Sequence, residues 1–436
     1  MNYQRGLDKA YRFLVNEEDA RVCRDIDDAA CQVVAGNFFL QVLTQFFTKL
    51  GDAIANPKTV LAWLLTSLGA PGVFAAFLVP IRESGSLIPQ LIIASYVRRI
   101  AIRKWVFVLG CLLQAAAVFA MALVALTLTG TAAGFGLLAA LVLFSLARGL
   151  CSVASKDVLG KTVPKTRRGR VSGWSESVAG LVTIGVGTLL LIDRAEADSL
   201  SAYLALLVVA GGLWLLAAGS YALIREFPGA TEGGANAISE ALERLELLKS
   251  DPPFLKFVLA RSLLLCSALS APFFIMLAHE QTGGALLVLG LFVIADGLAS
   301  LFSGPFWGRF ADQSSRRVMI IAGAGAGLVG FALVATVLLS PSLAQSAWIY
   351  PVFFFLLAVA HAGVRMGRKT YIVDLAGGNK RTDYVAVSNT VIGLVLLLAG
   401  FIGLLTTILP ISAIIVILAA MGLGGAVLSA RLPEVI

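Results

Sequence analysis

A few ionisable side chains interrupt long apolar runs, and these residues have chemistry to offer. Lys49 and Asp52 stand three apart, which places both on one face of a helix. Arg82 and Glu83 are neighbours, and Arg148 is followed by Lys156 and Asp157. Glu176, Arg261 and Asp296 stand alone, and His361 and Arg365 stand four apart. An ionised group at bilayer depth costs roughly 2.5–3.5 kcal/mol on insertion scales, so it normally faces a cavity or a partner. Arginines in such places suit phosphate, carboxylate or sulfonate. Asp, Glu and His in such places form proton relays, and a carboxylate poorly solvated there takes up a proton more readily. Internal pairing is the alternative: Lys49 with Asp52, and Arg148 with Asp157 or Glu176, leaving little net charge.

Other chemistry is not signalled. The chain has no GxxxxGK[ST] phosphate loop, no His-Glu-x-x-His, no Cys-x-x-Cys and no Gly-x-Ser-x-Gly. It has two histidines and five scattered cysteines. These counts argue against an enzyme, against ATP-driven transport by this chain alone, and against a metal or other cofactor. Cys23 and Cys31 match no zinc spacing and read as thiols in a reducing compartment. Cys111, Cys151 and Cys266 read as small packing residues.

The elements that must hold these residues follow from composition. Of 436 residues 58% are hydrophobic and only 14% charged, whereas a soluble domain carries about 25% charged residues. A bilayer core needs about 20 apolar residues per helix. Twelve such spans are read: 34–57, 72–97, 104–128, 133–159, 171–192, 200–224, 254–279, 284–308, 317–340, 345–372, 384–405 and 408–430. Helices satisfy their own backbone in lipid, so the expected fold class is an all-α membrane protein. Basic residues crowd every second loop: Arg98, Arg99, Arg103 and Lys104; Lys161, Lys165, Arg167, Arg168 and Arg170; Arg309, Arg316 and Arg317; Lys380 and Arg381. The opposite loops are nearly bare, with Lys58 and Arg194 as the main exceptions. The positive-inside rule then places both termini in the cytoplasm. It also explains the net charge of +8 without nucleic acid.

Four segments result. Residues 1–33 form a polar, acid-rich cytoplasmic lead-in without the features of a signal peptide. Residues 34–224 form a first six-helix bundle, and 254–436 a second. Residues 225–253 link them, with an amphipathic helix expected over Ile238–Lys249. The bundles align without a gap at an offset of 213 residues. Glu83 falls on Asp296, Arg103-Lys104 on Arg316-Arg317, Gly110 on Gly323, Lys156 on Lys369, and Gly180-Leu181 on Gly393-Leu394. Parallel six-span repeats describe a transporter architecture.

The stretch Gly304-Pro-Phe-Trp-Gly308-Arg309-Phe-Ala-Asp312-Gln-Ser-Ser-Arg316-Arg317 resembles the cytoplasmic-loop motif of the major facilitator superfamily (MFS), Gly-x-x-x-Gly-Arg-x-x-Asp followed by Arg-Arg. Residues Val163 to Gly173 resemble its loop 4–5 sequence, and Arg148 occupies the place of its membrane arginine. The matching positions of loop 2–3 are Leu91, Ser95, Tyr96 and Arg99, so that copy of the motif is lost. The resemblance covers nearly the whole chain and implies two pseudo-symmetric six-helix bundles, with spans 1, 4, 7 and 10 lining a central cavity. It makes Lys49, Asp52, Arg148, Arg261, His361 and Arg365 the candidate substrate residues. Asp52, Glu83, Asp296 and His361 are the candidates for proton coupling. It also makes Gly304, Gly308, Arg309, Asp312, Arg316 and Arg317 a gating motif, with Asp312 as a mere cap of the next helix the bland alternative.

The expected function is secondary active transport of a small solute by alternating access, driven by protons, with an organic anion favoured by the basic cavity. A drug or metabolite exporter for apolar or cationic solutes is one alternative. A non-transporting receptor or assembly factor on the same fold is another. The expected setting is a monomer in lipid, multi-pass in the inner (plasma) membrane. Its expected partners are a small-molecule substrate and a proton.

Overall fold

The computed structural model describes residues 31–97, 99–164, 178, 180–188, 199–229, 231, 244–283, 286–375 and 381–435. Span 1 consists of α1 (Val34–Ile54) and α2 (Val60–Ser67), and span 2 of α3 (Gly72–Leu87) and α4 (Gln90–Val97). Spans 3 and 4 are α5 (Lys104–Thr127) and α6 (Gly130–Thr162). Residues 180–188 are helical within the expected span 5, and α7 (Ser199–Ala222) is span 6. A 3-10 turn (Arg244–Glu246) and α8 (Leu247–Ser250) lead to α9 (Pro252–Leu263) and α10 (Cys266–Thr282), which form span 7. Next come α11 (Leu286–Gln313), α12 (Ser315–Leu339), the short α13 (Pro341–Ala344) and α14 (Ile349–Leu375). The chain ends with α15 (Arg381–Gly400), a 3-10 turn (Phe401–Thr407) and α16 (Ile411–Ala430). No strand occurs among the described residues.

Nine described stretches are long and apolar enough to cross a membrane. Spans 1 and 2, each broken into two helices, are not among them: α1 carries Asn37, Gln41, Gln45 and Lys49 along its length, and α3 and α4 have only 16 and 8 residues. Pro57 and Pro89 stand in the two breaks, where a ring without an N–H cannot continue the helical ladder. The chain is a multi-pass membrane protein, and its outer surface shows why. On α5 the exposed residues Trp105, Leu109, Leu112, Ala116, Phe119, Leu123 and Leu126 recur every three or four positions. The opposite face, including Phe107, Cys111, Ala115 and Val118, is buried. A helix apolar on both faces needs an apolar solvent.

The two halves repeat their packing. In the first, α5 packs on α6 and α7, α3 on α6, and α7 on α1. In the second, α12 packs on α14 and α16, α11 on α14, and α9 on α16. The corresponding elements are the ones that the 213-residue register superposes. The halves meet mainly through α3 against α15 and the turn after it, α10 against α2 and α3, and α2 against α11. Gly187 also lies against Ile294 of α11. At Gly403 the approach leaves no room for a side chain, because an added Cβ would stand 2.3 Å from that of Ala76. These contacts favour the end that holds the 68–71 and 401–407 turns. Toward the other end α4 packs on α6, and α9 on α16 and α15, each within its own half. Among the described residues, no comparable packing between the halves is found there.

Several expectations change. Span 1 does not end near residue 57 but continues as α2 to Ser67. Lys58 therefore lies in a helix break and not in a loop outside the bilayer, which removes it as an exception to the charge pattern. Residues 238–243 of the expected amphipathic helix lie outside the described residues. Residues 244–250 form a 3-10 turn and one helical turn, with Leu245, Leu247 and Leu248 packed on the second half. Cys31 is disulfide-bonded, contrary to the thiol expected; sequence spacing carries no information about the close Cα approach that a disulfide needs.

Candidate functional site

The break in span 1 organises the site. Pro57 interrupts the helix, and the Asn56 side chain turns back to accept the Lys58 N–H at 2.9 Å, as asparagine commonly does in turns. Asn56 Nδ2 donates to Asp296 of α11 at 3.0 Å, tying the first half to the second. Irregular backbone at membrane depth is tolerated where it is buried in protein or lines a water-filled cavity.

One turn before the break, Asp52 accepts from Arg82 at 2.7 Å and also from Arg148. The Arg82 side chain is 8% exposed and lies over the Phe144 ring, 5.4 Å from its centre. Arg148 is 34% exposed. Glu83 stands 3.9 Å from Arg82, with its side chain 46% exposed. Two arginines and two carboxylates thus balance one another within the first half.

The second half is built differently. His361, Arg365 and Arg368 succeed one another at four and three positions on α14, so they share a helix face. His361 Nδ1 and the Ser267 hydroxyl lie 3.0 Å apart. Arg261 is buried and donates to Ser388 Oγ at 2.6 Å and to Asn389 Oδ1 at 3.0 Å. Arg365 is exposed and forms no ion pair among the described residues. Lys58 interacts electrostatically with Glu83, Asp296 and Arg365, and Arg368 with Glu83 and Arg365. Charges from both halves therefore converge beside the break.

The sequence residues separate accordingly. Asp52 and Arg148 come together, as a pair with each other rather than as two free binding groups. Arg148 does not pair with Asp157, which bonds Arg103 and Lys161; Glu176 lies outside the described residues. Asp296, His361 and Arg365 do converge. Lys49 sits three residues before Asp52 on α1. Sequence reasoning did not assign Lys58, Asn56, Arg82 or Arg368 to the site. Arg368 extends the His361–Arg365 face by one more turn. The signal for Lys58 was its isolation in a region otherwise bare of cations.

The expected gating motif spans the end of α11 and the start of α12. Among the described residues, a Cβ at Gly304 or Gly308 would meet nothing within 4 Å. The cap of α12 is Ser314, whose side chain accepts from the Arg317 N–H at 3.2 Å; the side chains of Arg309 and Asp312 lie outside those described. Arg316 pairs with Glu434 and donates to the Leu432 carbonyl at 2.9 Å. The first half shows a related clamp. Glu226 accepts the backbone N–H groups of Arg103 and Lys104 at 3.0 and 2.7 Å and pairs with Lys161. A carboxylate at a helix N-terminus is favourably placed. In each half, then, a glutamate just beyond the sixth span fastens the start of the third.

No protein-family model and no curated protein sequence matches the chain. Solved structures do. A D-xylose–proton symporter aligns with a TM-score of 0.68 at 14% identity, over 92% of this chain and 98% of that one. The nucleoside transporter NupG aligns with 0.66 at 12% identity, over 90% and 99%. A POT family transporter in complex with a thioalcohol-conjugated peptide aligns with 0.67 at 11% identity, over 89% and 94%. The chain carries the major facilitator superfamily fold that these transporters share.

Proposed function

We propose that the protein is a proton-coupled secondary transporter of a small organic anion, working by alternating access in the plasma membrane. Residues 34–224 and 254–436 are the two rocking bodies, and both termini are cytoplasmic. The observation that carries the anion reading is the convergence of Lys58, Arg365 and Arg368 beside the span 1 break, drawn from both halves. Arg148 and Arg82 are satisfied by Asp52, so they shape the site and fix its walls. Under the proposed topology the halves part toward the cytoplasm, an inward-facing arrangement. Gly304, Gly308, Arg309 and Asp312 would close that end in the opposite state. An apolar or cationic solute would leave the three cations without a counter-charge, which makes the exporter reading the weaker one.

Glu83 is the proposed proton carrier. It is half exposed between the halves, unlike Asp52, which holds two arginines. A proton symporter among the similar structures supports coupling to protons. Asp296 and His361, facing the same cations, are its proposed partners. The test is uptake into vesicles reconstituted with the protein. The expected result is accumulation driven by an inward proton gradient, and its loss in Glu83→Gln while solute exchange at equilibrium continues. Gradient-driven accumulation by that variant would remove Glu83 from coupling. A complete lack of saturable flux for any anion would favour the non-transporting reading.

A further inference from the structure

We infer that Cys111 of span 3 and Cys151 of span 4 form a chelating site for a thiophilic centre, a soft divalent ion or a trivalent arsenical, held as a neutral bis-thiolate. The two Sγ atoms lie 3.9 Å apart, and both cysteines are free and buried. Thiolate bonds to zinc of about 2.3 Å set two sulfurs of a tetrahedral ion roughly 3.8 Å apart. The pair therefore stands at the bite of such a centre before anything binds. Gly110 allows this approach of α5 and α6, because an added Cβ there would stand 2.5 Å from Cys151 Sγ. Arg148, 34% exposed, lies one turn before Cys151 on α6, so the pair adjoins an exposed stretch of that helix.

A glutamine beside the thiols gives a second, independent sign. Gln114 is fully buried, and its Nε2 donates to Cys151 Sγ and to the Gly110 carbonyl, each at 3.2 Å. Its Oε1 is buried with no hydrogen-bond partner. An orphaned buried acceptor calls for a bound group, and this one belongs to an amide already touching the thiol pair. It offers an ion a third ligand. The Phe107 carbonyl, which accepts from Cys151 at 3.4 Å, is released when that thiol gives up its proton. Charge then selects the occupant. A divalent ion forms two metal–sulfur bonds and releases two protons. An arsenical oxide forms two As–S bonds, its As–O bond breaks, and one water leaves. Neither reaction changes an oxidation state. Both products are neutral, as an apolar interior requires, and sulfur ligands favour soft centres over magnesium or calcium.

The test measures binding to the full-length protein in detergent, with phenylarsine oxide and cadmium ion as separate probes. Intact mass should report one arsenical per chain, and thiolate-to-metal charge-transfer absorption one cadmium. Cys111→Ser and Cys151→Ser should each weaken binding about a hundredfold or more, because the second sulfur acts at high effective concentration. Cys111→Ala repeats the test without placing a hydroxyl in the core. Cys266→Ser should leave binding unchanged. Uptake of the arsenical alone identifies a site reached through the apolar phase, and uptake of cadmium alone one reached from water; either supports the inference. Equal binding by the single-cysteine variants shows ordinary one-thiol chemistry and overturns it, as does no binding of either probe. The readout involves no transport, so its failure leaves the anion reading untouched.

Discussion

The two halves share one packing plan but not one charge plan. At the 213-residue offset Glu83 corresponds to Asp296 and Arg148 to His361, yet Asp52 corresponds to Leu265 and Arg82 to Ala295. The first half has therefore built a closed ion network around Asp52. The second half holds its buried Arg261 and its His361 with neutral Ser388, Asn389 and Ser267, and leaves Arg365 without an ion pair among the described residues. Helix packing depends on small residues and shape, so it can repeat while the polar residues diverge. On the function proposed above, one half then serves as a balanced wall and the other as an attractive face.

Removing Asp52 should break that contrast most strongly. Asp52→Asn strands Arg82 and Arg148, and breaking a buried ion pair typically costs about 3–5 kcal/mol. Chemical denaturation in detergent should show such a loss. A variant as stable as the parent would mean that the network is not a structural wall. Asn56→Ala removes the bond to Asp296 that joins the halves, a hydrogen bond to a charged group worth about 1.5–3 kcal/mol. The separation of spin labels at Thr131 and Thr407 should then broaden toward longer distances. An unchanged distribution would show that the break does not couple the halves.

Ser84 donates to the Gly393 carbonyl across the interface at 2.8 Å. Ser84→Ala should cost about 1 kcal/mol and shift the same label distances in the same direction, by less. Arg365→Gln should change the stability of the solute-free protein least, within about 0.5 kcal/mol, because its charge has no ion-pair partner to lose. A marked destabilisation by that substitution would reveal that the second half, too, is internally balanced.

Much of the architecture was legible from hydropathy. The apolar runs, the alternate basic loops and the 213-residue register each report a property that acts locally or repeats along the chain. The break in span 1 was harder to see, because Asn56-Pro57-Lys58 at the end of an apolar run looks like a loop. Its true depth depends on α2 resuming and packing on α10. The site was only partly legible. The i, i+4 spacing of His361 and Arg365 exposed one face, whereas nothing in the spacing of Asp52 shows that Arg82 and Arg148 both reach it.

The sequence by itself determined that the chain lives in a membrane, that it folds as paired helical repeats, and which few ionisable residues sit at depth. These features arise from the cost of exposing backbone and charge to lipid, which acts on every residue where it stands. Tertiary structure alone decided the partners. Asp52 reaches Arg82 and Arg148, 30 and 96 positions away, and Asn56 reaches Asp296 across 240. A charge becomes wall, face or link through the distance and orientation of its counter-charge. Those are set by how helices pack, and no periodicity within one helix records them.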